Sequence, residues 1–138
     1  MFKKTITYTD FNDIEHTEDF YFNLNKAEIA LLEVSTPGGL KAYAENLIAT
    51  RDVKRIAELF QELVTMSYGV KSPDGLRFIK SKEMAEEFTQ TNAYAELIAE
   101  IISDAEAGAS FFNGLAESVT ASGKKNDREH KTLAVVSQ

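Results

Sequence analysis

The sequence contains no cysteine, which removes disulfides, thiol nucleophiles and thiolate metal sites together and fits a reducing compartment. Histidine occurs only as His16 and His130. Neither stands near a nucleophile elbow or a Gly-rich oxyanion loop, and they form no pair at helical spacing that would hold zinc. Positive charge is short, with 15 Lys and Arg against 22 Asp and Glu and a net charge of -7. Nucleic-acid binding needs a clustered basic face, so this balance argues against it. No apolar run approaches the ~20 residues that a bilayer-spanning helix requires. The opening "MFKKTITYTD" has two lysines but lacks the apolar stretch of a secretory signal. These absences predict a cytoplasmic protein without metal, cofactor, nucleic acid or membrane as partners.

What is present is enough to fold. The chain has 138 residues, 43% of them hydrophobic, including nine Phe and five Tyr, which suits one domain with its own core. Residues 3–9, "KKTITYT", and 17–24, "TEDFYFNL", alternate around the polar stretch "DFNDIEH" and predict a β-hairpin. Phe20, Phe22 and Leu24 would share one face with Ile6 and Tyr8 nearby, while Asp19, Tyr21 and Asn23 share the other. A two-stranded ribbon is marginal alone, so that apolar face must rest on the helical remainder.

The helices are punctuated clearly. Asn25 and Glu28 have the spacing of a capping box, after which Ile29, Leu31 and Leu32 are expected to face inward. "STPGG" at 35–39 stops that helix. "LKAYAENLIA" follows with Leu40, Tyr43, Leu47 and Ile48. Asp52 caps the strongest helical pattern, in which Val53, Ile56, Ala57, Phe60, Leu63 and Val64 form one stripe ending at Gly69. "KSPDGLRFIKS" reads as a turn and a short extended piece. Ser81 and Thr91 or Asn92 then open two helices, with Met84, Ala85 and Phe88 inward in one and Tyr94, Leu97, Ile98 and Ile101 in the other. Asp104 is expected to cap a last helix carrying Phe111, Phe112, Leu115 and Val119.

The predicted class is therefore α+β, mainly α-helical: an N-terminal β-hairpin packed on about five to six helices over residues 1–119, followed by a flexible basic tail at 120–138. Lys124, Lys125, Arg128 and Lys131 outnumber Asp127 and Glu129, so the tail is +2 and the rest of the chain -9.

Chemistry-bearing motifs are sparse. "YGVKSPDG" resembles a phosphate loop only superficially, because Val70 and Thr65 occupy the places that require glycine. Asp74 is not followed by the alternating oxygen ligands of a calcium loop. Glu83, Glu86 and Glu87 read as a solvated helix face. The sequence thus predicts no catalytic, cofactor-binding or metal-binding residue. Adjacent helical residues point about 100° apart, so only one of Phe111 and Phe112 can face the core squarely. Tyr21 lies on the hairpin face opposite Phe20 and Phe22. Tyr21, Phe111 and Phe112 are accordingly the candidate protein-binding residues.

"FYFNLNKAE" and "SPDGLRFIKS", followed by Phe88, Gln90, Thr91, Ala93, Tyr94, Glu96 and Leu97, resemble the tail assembly chaperones of long-tailed (siphovirus) bacteriophages and prophages of Gram-positive hosts. The likeness runs from about residue 3 to residue 115. It implies a non-catalytic protein of the infected or lysogenic host cytoplasm, absent from the mature virion. Such a protein binds and solubilises the tape measure protein and promotes assembly of the tail tube. The major tail tube protein and a frameshifted longer form of the chain are further partners that the resemblance implies. Gly123-Lys124-Lys125 is compatible with a slippery run of A, although amino acids do not reveal codons. Helix lengths permit homo-oligomers without a heptad seam that demands them. The alternative is another phage interaction module, regulatory or a minor virion component.

Overall fold

A computed structural model gives the fold and describes residues 1–116. The expected hairpin is present as β1 (Phe2–Thr9) and β2 (Glu15–Phe22), antiparallel with Phe2 opposite Phe22 and Tyr8 opposite His16. Its turn is built by Asp10, whose Oδ1 accepts the backbone N–H groups of Asn12 and Ile14 at 2.8 and 3.0 Å. Asp13 takes the left-handed conformation there, with φ of 62°, a backbone state that short polar side chains tolerate better than most.

The hairpin is half of a larger sheet. β3 (Tyr68–Lys71) pairs with the end of β2, and β4 (Phe78–Ile79) pairs with β3, giving the order β1-β2-β3-β4, antiparallel throughout. The sequence pattern marks "LRFI" as extended but runs the preceding helix to Gly69, whereas the structure ends that helix at Ser67 and makes Tyr68–Lys71 a strand. Four residues are too few for their alternation to stand out against helical period.

Six helical segments occur among the described residues: α1 (Lys26–Ser35), α2 (Leu40–Thr50), α3 (Val53–Ser67), α4 (Lys82–Thr89), α5 (Asn92–Ser103) and α6 at 105–116. The expected caps form. Asn25 and Glu28 make the reciprocal capping box, and the side chains of Asp52, Ser81 and Thr91 accept the N–H groups of Arg55, Met84 and Tyr94. Asp104 Oδ1 accepts the N–H of Glu106 at 3.0 Å at the entrance to α6. α2 follows Gly39, which has no side chain to cap it. Its first amide, Leu40 N–H, is instead taken by Glu33 Oε1 at 2.8 Å, a carboxylate at the positive end of a helix.

The core is aromatic at its centre. Phe22, Phe60, Phe88 and Phe111 are buried together with Leu24, Leu63, Val64 and Leu97. Phe111 meets Phe2, Phe22 and Phe60 with ring centroids 5.5, 5.3 and 6.3 Å apart, and Tyr68 stacks on Phe88 at 4.1 Å. The inward stripes of α2, α4 and α5 match the sequence pattern. Two expected core residues do not: Val53 is 55% exposed and Leu31 67% exposed. Val53 is the first residue of α3, at the rim where the chain turns in from α2. Leu31 lies 200° around α1 from Ile29 at 100° per residue, on the side away from the core. Leu59, absent from the predicted stripe, is buried within it.

Polar contacts pin the periphery. Lys4 pairs with Glu100 at 3.1 Å and Asn92 Nδ2 donates to the carbonyl of Thr9 at 2.8 Å, tying β1 to α5. Lys80 Nζ donates to both carboxylate oxygens of Glu28 at 2.7 Å and to the carbonyl of Asn23 at 2.9 Å. One ammonium thereby joins the end of β2, the start of α1 and the strand entering α4. Lys80→Met is expected to cost roughly 1–3 kcal/mol, as for other charge-assisted hydrogen bonds. A double-mutant cycle in chemical denaturation with Glu28→Gln checks it, because a coupling near zero would mean the ion pair is solvated and idle.

Candidate partner-binding surface

α1 has six apolar residues among ten, yet none of its residues is buried. Ile29 and Leu32 are half-buried against the core. Ala27, Ala30, Leu31 and Val34 fall at i, i+3, i+4 and i+7, which is one face of a helix, and all four are exposed, Val34 at 82%. An apolar stripe on the inward side is what folding requires. A second stripe on the solvent side is what helix-on-helix docking uses, and the two alanines let a partner approach closely.

Beside α1 is an apolar groove of about 230 Å³ whose walls include Leu24, Ile29, Leu40, Leu63, Phe112 and Leu115. Glu33 and Lys41 also line it. The groove exists because "STPGG" turns the chain sharply between α1 and α2. Gly38 and Gly39, with φ of 80° and 92°, supply a backbone path that other residues adopt only under strain.

The three candidate contact residues separate. Phe111 is 2% exposed and belongs to the core, so its ring is not available to a partner; the short side of α6 facing the sheet takes it. Phe112, 100° further round, is half-buried and lines the groove. Tyr21 is half-buried on the outer face of the sheet, between Lys3 of β1 and Gly69 of β3. The rest of that face on β1 and β2 is polar, with Thr5 donating to Asp19 at 2.6 Å and Thr7 bonded to Thr17 at 2.9 Å. In the sequence this stripe is masked because Leu31 adjoins the inward Leu32, and the signal that marks it is the periodicity of Ala27, Ala30, Leu31 and Val34 on the opposite face of the helix. Val119 and the 120–138 segment lie outside the described residues.

Two further depressions are more polar or aromatic in character. One, about 250 Å³, contains the Lys4–Glu100 pair beside Phe2 and Phe111. The other, about 300 Å³, lies between Tyr8, Phe20, Tyr68 and Phe88. At its edge Tyr8 donates to Glu18 at 2.7 Å and stacks on His16, which in turn contacts Asp10 at 2.6 Å. The His16 hydrogen bond, with the turn amide of Ile14, holds the Asp10 carboxyl below its ordinary range. Burial pushes the Tyr68 and Tyr94 hydroxyls up. The hydrogen bond to Glu18, followed by desolvation, pushes Tyr8 up to about 12 from 10.0.

A phenol whose folded pKa is raised contributes stability that is intact below the unfolded value. That contribution falls as pH climbs from about 10 to about 12, because the unfolded chain releases a proton that the folded chain keeps. Phenolate absorbance during an alkaline titration should show Tyr8 ionising late, and Tyr8→Phe should reduce the alkaline loss of stability. An unchanged slope in that variant would place the effect elsewhere.

The 72–77 segment is a turn between strands. Ser72, buried, donates to Asp74 at 2.6 Å and accepts the N–H of Arg77 at 3.0 Å, and Gly75 has φ of 76°. It leads into β4, whereas a phosphate loop leads into a helix N-terminus. Glu83, Glu86 and Glu87 are exposed. Among the described residues no group of three or more His, Asp or Glu could hold a metal ion, and no helix is long and apolar enough to cross a membrane.

No curated protein and no solved structure matches the chain. A family model described as phage tail assembly chaperone matches residues 1–134. That span takes in the hairpin, every helix described above and most of the segment that follows. The chain therefore belongs to the phage tail assembly chaperone family.

Proposed function

We propose that this protein binds the tape measure protein of a long-tailed phage, keeps it soluble in the host cytoplasm, and hands it to the polymerising tail tube without performing any catalysis. The observation that carries the reading is the solvent-side stripe of α1, Ala27, Ala30, Leu31 and Val34, which offers an apolar helix a matching surface. The groove lined by Phe112 widens the same region, and Tyr21 supplies a second, smaller contact on the sheet. A net charge of -7 keeps an assembly of many copies soluble by mutual repulsion. The tail tube protein and a longer frameshifted form of the chain are proposed as later partners, and the mature virion is proposed to lack the protein.

Leu31 and Val34 can be changed without entering the core, so they separate binding from folding. Leu31→Asp with Val34→Asp should weaken capture of the tape measure protein at least tenfold in a pull-down titration and leave the thermal midpoint nearly unchanged. Phe112→Ala and Tyr21→Ala should weaken it by smaller factors. Full capture by the double Asp variant would remove α1 from the contact surface.

A further inference from the structure

The aromatic depression of about 300 Å³ brings together Tyr8 of β1, Phe20 of β2, Tyr68 of β3 and Phe88 of α4, with Met84 and Glu87 beside them. Tyr8, Phe20 and Tyr68 are half-buried, so ring surface remains for a ligand, while Phe88 is buried and stacks on Tyr68. Two carboxylates stand at this site. Glu87 lines it, and Glu18, exposed on β2, is fixed by the Tyr8 hydroxyl at 2.7 Å. Both charges reach the Tyr68 hydroxyl, adding to the burial that pushes it up. Among the described residues Glu87 makes no ion pair, and Glu18 has His16 at 3.8 Å. No Lys or Arg lines the depression. We propose that it is a binding site for an arginine side chain of a partner polypeptide, which lays its guanidinium on the tyrosine rings and pairs it with Glu87 and Glu18.

Charge complementarity selects this occupant. Aromatic faces attract a cation through the ring quadrupole, and an apolar side chain seated here would take water from two carboxylates and return nothing to them. A guanidinium is planar and weakly hydrated, so it can stack on a ring and fork to a carboxylate together, which a lysine ammonium cannot. Met84 offers the methylene stem a soft apolar wall. A second copy of this chain is the poorer source of the arginine, because copies of net charge -7 repel. No residue of α1 lines the depression, so the proposal does not rest on the α1 stripe.

The test is titration of the full chain with a Gly-Arg-Gly peptide blocked at both ends, read by NMR at the ring protons of Tyr8, Phe20 and Tyr68. Peptides with lysine or norleucine in place of arginine are the comparison. The arginine peptide should give saturable shifts at these rings and bind at least about fivefold more tightly than the norleucine peptide. Glu18→Gln with Glu87→Gln should remove that preference and leave the thermal midpoint nearly unchanged, since both side chains are exposed. Equal binding of arginine and norleucine would overturn the proposal, as would an undiminished preference in the double Gln variant or no saturable ring shift up to the solubility limit of the peptide. Ring shifts that appear on concentrating the protein alone would also overturn it, in favour of a second copy. No tape measure protein enters the experiment, so its failure would leave that reading untouched.

Discussion

Phe111→Ala is expected to lower stability by about 3–5 kcal/mol, the usual cost of emptying a buried aromatic site. Small domains have on the order of 5–15 kcal/mol in total, so the variant should populate unfolded chain at physiological temperature. The size of the effect follows from what the ring joins. Its edge and face meet Phe2 of β1, Phe22 of β2 and Phe60 of α3, so one side chain holds the sheet, the longest helix and α6 together. Collapse around the lost ring is resisted from three directions, which keeps the cavity open and the penalty near the upper end. Phe112→Ala, one residue later on the groove wall, should cost less than about half as much, since its ring is half-buried already. Denaturation midpoints of the two variants check the contrast, and equal losses would mean that α6 is rotated from the position described.

Gly69→Ala is the second large effect. A Cβ at this position would stand 2.5 Å from the carbonyl oxygen of Ile79 and 2.7 Å from both Phe78 Cε2 and Lys80 Cγ. The nearest atom is backbone, so relief requires β3 and β4 to separate, and the Lys80 contacts to Glu28 and Asn23 would be disturbed with them. Overpacking of this kind costs roughly 1–3 kcal/mol or more. Gly108→Ala in α6 is the matched control, because its added Cβ would meet Ile101 and Phe60 at an ordinary 3.5 Å. There the helix should gain up to about 1 kcal/mol from the better propensity of alanine. Amide exchange protection at Val70 and Ile79 would locate the damage in the first variant, and intact protection there would contradict the close packing of β3 on β4.

Much of this fold was legible because short-range signals agree with the tertiary structure. Asn25, Asp52, Ser81, Thr91 and Asp104 sit where helices begin, each with an orphan amide in reach. The alternation of Phe20 and Phe22 marked the buried face of the hairpin. What escaped was set by contacts distant in sequence. β3 is a strand because β2 offers it an edge, and nothing in "YGVK" announces that. The cap of α2 comes from Glu33, across the "STPGG" turn. Val53 and Leu31 are apolar and helical, and position around the axis, which depends on neighbouring elements, decides that they face water.

The candidate surface was less legible for the same reason. Phe111 and Phe112 are identical as residue types, and only the orientation of α6 assigns one to the core and the other to the groove. On α1 the periodicity is ambiguous in itself, since two apolar stripes share ten residues. The core takes one of them, through Ile29 and Leu32, and leaves the other in solvent.

The most direct measurement is co-expression of the full chain with the tape measure protein of the same phage, followed by size exclusion and quantitation of both proteins. The expected result is a soluble tape measure protein eluting early with many copies of this chain per molecule. A tape measure protein that still precipitates beside a well-folded chain, with or without the longer frameshifted product, would contradict the account.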